Sequence, residues 1–121
     1  MSIDVKVNTI AFSGSEVSRS LLVQLKNSKA DAAVYVTAGE LYKGDWTTFE
    51  IDIPIQEDFP ELWKGFGSDP QQQIPSDITY GSVLRGVDDV IFTSYEPDMV
   101  YGYTAFDLQV DNISVIYYFS V

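Results

Sequence analysis

The run at residues 106–121 (FDLQVDNISVIYYFSV) constrains the fold of this chain more than any other. Phe106, Leu108 and Val110 share one parity, and Ile113, Val115, Tyr117, Phe119 and Val121 take the other. Successive side chains of a strand point to opposite faces, so keeping both apolar sets on one face requires one extra residue between them. The pattern therefore predicts a long β-strand with a bulge at Asp111-Asn112.

The rest of the chain repeats the theme. Ile3, Val5 and Val7 alternate with polar residues before Ile10 and Phe12 switch parity, which predicts a first strand kinked near Thr9 and stopped by Ser13-Gly14-Ser15. Leu21, Val23 and Leu25, the turn-forming Lys26-Asn27-Ser28-Lys29, and Ala32, Val34 and Val36 read as a hairpin. Residues 45–55 (DWTTFEIDIPI) read as a further half-buried strand, with Pro54 at an edge or a strand end. Residues 87–95 read as another, with Glu96-Pro97-Asp98 as a turn.

Between these strands, residues 56–77 hold Pro, Gly and a Gln triplet without any strand pattern. Phe59, Leu62, Trp63 and Phe66 predict that this connection folds back as an ordered cap. Ser76-Asp77 is the expected cap of one short helix over residues 78–84, weakened by Gly81. With 121 residues, 45% of them hydrophobic, the chain fits a single domain spanning 1–121. Its eight Tyr, seven Phe and two Trp favour pleated surfaces. The expected class is all-β: an antiparallel β-sandwich of jelly-roll type with at most one short helix.

Composition also excludes chemistry. The chain has no His and no Cys, which removes imidazole acid–base catalysis, Ser-His-Asp and Cys-His nucleophiles, disulfides and thiolate zinc sites. Eighteen acidic residues against seven basic ones give a net charge of -11, which repels phosphate backbones and anionic headgroups. Neither nucleic acid nor direct membrane insertion is expected. Cations, neutral sugars and other proteins remain as partners.

Three constellations compete for a function. Asp107, Asp111 and Asn112 on the closing strand, with Asp88 and Asp89 on the strand expected before it, offer the hard oxygen ligands that a structural Ca²⁺ takes; the alternative is that they face water or bond the bulged backbone. Tyr95, Tyr101 and Tyr103, with Trp63, offer rings on which sugars stack, and Arg85 a donor for hydroxyls. The alternative is that such rings are core, as expected of Phe49, Phe92, Phe106 and Trp46, with Trp63 favoured as a cap of the core. Glu40, Glu50 and Glu96 are the candidates from which a carboxylate pair for glycoside hydrolysis could come, but no cleft motif accompanies them, and a noncatalytic protein is expected.

Taken in order, Gly44-Asp45-Trp46-Thr47-Thr48-Phe49, Trp63, Val83-Leu84-Arg85-Gly86-Val87 and Val110-Asp111-Asn112-Ile113 resemble the motifs of laminin B (laminin IV type A) domains. They are also similar to the jelly-roll carbohydrate-binding modules of exported bacterial proteins. The resemblance spans about residues 21–115. It implies an extracellular or cell-surface module that binds carbohydrate or a surface polymer, or mediates adhesion, and has no catalytic residue. Alternation at both ends of the chain leaves a second expectation open: self-association by terminal-strand or edge pairing into a fibre, capsid or surface layer.

Overall fold

The computed structural model describes residues 1–97 and 104–115. It contains β1 (Ser2–Phe12), β2 (Ser15–Glu16), β3 (Arg19–Asn27), β4 (Ala32–Leu41), β5 (Gly44–Glu50), β6 (Lys64–Phe66), α1 (Tyr80–Leu84), β7 (Asp89–Thr93) and β8 (Ala105–Ser114). The protein is all-β, with two four-stranded sheets and one five-residue helix among the described residues. By its contacts the chain forms two compact units, each assembled from separated segments of sequence.

The first unit holds a sheet centred on β1. On one side β1 pairs with β2 and β5, and on the other with β8, all antiparallel. The β1–β2 hairpin closes on Ser13 and Gly14, with φ of 51° and 80°. Two consecutive left-handed residues between directly paired Phe12 and Ser15 make the turn whose twist suits a tight hairpin. Ile3, Val5, Val7 and Ile10 are buried.

Both expected parity slips are present. Asp4 pairs with Asp111 and Ser2 with Ser114, so β8 spends one residue more than β1, and Asn112 takes φ 51°. Val7 pairs with Leu108 and Thr9 with Asp107, so here β1 carries the extra residue. Directly paired residues share a face. Phe106, Leu108 and Val110 therefore lie on the face of Ile10, Val7 and Val5, and the bulge returns Ile113 and Val115 to it.

The second unit holds a sheet in the order β6-β4-β3-β7. The consecutive residues Leu21, Leu22, Val23, Gln24 and Leu25 of β3 are all buried, so both faces of this strand are covered. Asn27 closes the β3–β4 hairpin: its Oδ1 accepts from the Ala30 amide at 3.0 Å while its Nδ2 donates to the carbonyls of Ser82 and Val83. Asp88 holds the same turn by accepting from the Ser28 amide at 3.1 Å and the Ser28 hydroxyl at 3.2 Å.

Several expectations need correction. The strand beginning at Asp45 ends at Glu50 instead of reaching Ile55, which is exposed; Pro54 thus lies beyond the strand. The connection at residues 56–77 is not strandless, since Lys64, Gly65 and Phe66 pair with Tyr35, Val34 and Ala33. Three residues with a central glycine are too few to show alternation. The helix cap is Thr79, whose hydroxyl accepts from the Ser82 amide while Ser82 Oγ accepts from the Thr79 amide.

Candidate functional site

In the second unit the connection after β6 makes a compact loop. The Gly67 amide donates to the Gln72 carbonyl at 2.9 Å, the Gln72 amide to the Asp69 carbonyl at 3.0 Å, and the Gln71 amide to Asp69 Oδ1 at 2.8 Å. This closure presents the Gln triplet on a fixed backbone. Gln71 Nε2 donates to the Tyr95 hydroxyl at 2.6 Å, so the loop is joined to the segment that follows β7.

Two recesses share Tyr35, and this loop lines one of them. One, of about 420 Å³, is lined by Leu22, Tyr35, Val36, Leu62, Lys64 and Glu96 among others. The second, of about 310 Å³, is lined by Tyr35, Phe66, Gln71, Gln72 and Gln73 among others. Tyr35 and Pro97 belong to both. Register explains why Tyr35 sits there: it is directly paired with Lys64 at the β4–β6 edge and leans on Phe66, ring centroids 5.8 Å apart. The combined lining offers an aromatic ring, apolar walls, primary amides and one ion of each sign. Amides both donate and accept, which suits hydroxyl groups.

The sequence-expected ligand residues are distributed otherwise. Tyr95 is partly exposed and reaches the rim of this site through Gln71. Tyr101 and Tyr103 lie outside the described residues. Trp63 is only 6% exposed and packs edge-on against Tyr80 at 5.4 Å, so it is a core residue and presents no stacking face. Arg85 is held by Glu57, which accepts from Arg85 Nη1 at 2.7 Å and Nη2 at 3.1 Å and from the Thr79 hydroxyl at 2.6 Å. The Arg85 guanidinium and then the Thr79 hydroxyl hold the Glu57 carboxyl down at about 2. Arg85 thus ties α1 to the preceding connection. Tyr35, Lys64 and the Gln triplet were missed because a residue pair across β4 and β6 has no sequence signature when β6 itself is illegible.

Trp46 reverses in the other sense. It is 47% exposed on β5, on the face of Thr48, where the β5 irregularity opposite residues 5–7 of β1 lies. Phe49 and Phe92 are half-buried, whereas Phe106 is exposed.

The acids of the closing strand sit on the polar face of the first unit. Asp107 pairs with Thr9 and Asp111 with Asp4, which separates the two aspartates by roughly 13 Å along β8 at the usual rise per residue. Asp111 Oδ1 accepts from the Asn112 amide at 2.8 Å. Asp4 accepts from Thr48 Oγ1 at 2.6 Å and from Asn112 Nδ2 at 2.9 Å, and these two bonds lower its carboxyl below the usual value, Thr48 contributing more. Asp107, Asp111 and Asn112 therefore do not converge on one point, and among the described residues no three acidic side chains gather as a metal cluster. Asp88 and Asp89 belong to the second unit, as does Glu96, whereas Glu40 and Glu50 belong to the first.

Among the described residues no helix is long and apolar enough to cross a membrane. Comparison with protein-family models, with curated proteins and with solved structures returned no match.

Proposed function

We propose that this chain is a noncatalytic module that binds carbohydrate or a similar hydroxyl-rich surface polymer outside the cell. The observation that carries this reading is the pair of recesses meeting at Tyr35, with the Gln71–Gln73 amides on one side and Lys64 and Glu96 on the other. A tyrosine ring flanked by fixed amides matches the mixed apolar and hydroxyl character of a sugar. The net charge of -11 favours a neutral ligand over an anionic one. Glu96 is the one carboxylate among the described lining residues, whereas glycoside hydrolysis uses two. The motif resemblance to laminin B domains and carbohydrate-binding modules supports the same class and the same location.

The test is a neutral-glycan array followed by calorimetry on the best binder. Tyr35→Ala is expected to weaken binding by roughly two- to tenfold, the usual worth of an aromatic contact, and Trp46→Ala to leave it unchanged. A chain that binds no neutral glycan, or one whose binding survives Tyr35→Ala in a folded variant, would overturn the reading.

A further inference from the structure

Strand β8 carries a second surface, independent of the Tyr35 recesses. All ten of its residues are exposed, and among the described residues its ladder partner is β1 alone. Its apolar residues nevertheless share the buried face of β1: Phe106, Leu108, Val110, Ile113 and Val115 are 37% to 54% exposed. Its opposite face carries Asp107, Gln109, Asp111 and Asn112, adjoined across β1 by Asp4 and by one cation, Lys6. A strand of this length with one edge unpaired among the described residues offers backbone donors and acceptors as well as alternate side-chain contacts.

We infer that β8 is a docking edge for an extended segment of another protein in which apolar residues alternate with Lys or Arg. Each directly opposed pair then matches: apolar side chains of the incoming strand lie over Leu108, Val110 and Ile113, and its cations lie beside Asp107 and Asp111. Charge selects against a second copy of this chain. Two copies of β8 paired side by side would bring their aspartate faces together, on molecules that each carry a net charge of -11. The bulge at Asn112 shapes the site, because it keeps Ile113 and Val115 on the apolar face beyond the point where strict alternation would turn them away.

The probe is a labelled peptide of about nine residues alternating Lys with Val, matched to the length of β8, with a Glu/Val peptide as comparison. Fluorescence anisotropy on the full chain is expected to show saturable binding of the Lys/Val peptide that weakens as salt rises, with no binding of the Glu/Val peptide. Hydrogen exchange is expected to slow at amides of residues 105–114 when the peptide is added. Asp107→Lys is expected to weaken binding about fivefold; Asp107→Asn carries the same comparison with a smaller loss if the reversal impairs folding. Equal binding of the two peptides, no binding, or protection confined to other strands would overturn the inference. So would a dimeric mass that Asp107→Lys alters, because the edge would then belong to a second copy.

Discussion

Asn112 and Asp4 are joined by a 2.9 Å hydrogen bond from Asn112 Nδ2 to Asp4 Oδ2, although 108 positions separate them in the sequence. The bond links the bulged residue of β8 to the central strand and occupies one carboxylate oxygen while Thr48 occupies the other. The same residue thus supplies a left-handed backbone conformation and a cross-strand tie.

These two duties are separable by substitution. Asn112→Gly keeps the φ of 51° accessible and removes only the tie, with an expected loss of about 0.5–1.5 kcal/mol. Asn112→Val loses the tie and also forces a β-branched residue into the left-handed region, adding about 1–2 kcal/mol. Urea unfolding of the two variants should rank valine below glycine, and equal midpoints would show that the backbone conformation is not what Asn112 supplies.

Glu57 makes stability depend on pH in a definite direction. Its carboxyl lies at about 2 in the folded chain against an ordinary 4.5, chiefly through the Arg85 guanidinium and next through the Thr79 hydroxyl. A depressed carboxyl favours folding while ionised, so its contribution is fully present above 4.5 and disappears as pH falls toward 2. Thermal midpoints measured across that window should fall less steeply for Glu57→Gln than for the parent, and the difference should shrink in high salt because the pair is exposed.

Gly81 lies in the helix where alanine is ordinarily better by up to about 1 kcal/mol. Here an added Cβ would stand 2.8 Å from the Glu57 Cα and 2.9 Å from the Gln56 carbonyl oxygen, while the Gly81 amide donates to the Glu57 carbonyl at 2.9 Å. Gly81→Ala should therefore destabilise by roughly 1–3 kcal/mol, the range of overpacked sites. Chemical denaturation checks the sign, which is opposite to helix propensity.

Trp63→Ala should cost roughly 3–5 kcal/mol as a large-to-small change in the core, since Trp63 is buried against Tyr80, whose hydroxyl donates to the Pro54 carbonyl at 2.9 Å. Trp46→Ala, at an exposed position, should stay within about 0.5 kcal/mol. Paired denaturation curves decide which of the two tryptophans supports the fold.

What could be read from the sequence divides along a physical line. The parity slips at Asn112 and near Thr9, the β3–β4 hairpin and the all-β class follow from counting, because the period of a strand is an integer and a single insertion shows. The places of Trp46 and Trp63 follow only when position is weighed above residue type. Trp46 shares the parity of Thr48 and Glu50 and not that of Phe49 and Ile51, so alternation alone turns it to the outer face; its large ring, not its position, argued for burial. Trp63 belongs to the ordered cap expected of residues 56–77, and Phe59, Tyr80 and the three-residue β6 complete the core around it. Gly81 read as a flaw in a helix and is the point where two segments touch. The Tyr35 site was illegible for a related reason: it depends on which segments meet, and local residue pattern carries no information about that.

The central place of β1 has a consequence for how the protein is made. The second unit is drawn from residues 20–39 and 54–100, so all of its strands have been synthesised before β8 exists. The first unit needs β8 to complete its sheet, and β1 is translated about 100 residues earlier. At usual elongation rates of about 5–20 residues per second, Ile3, Val5 and Val7 wait roughly 5–20 s for that neighbour. A nascent chain stalled before β8 should therefore expose this apolar row to chaperones and proteases, and release when β8 emerges.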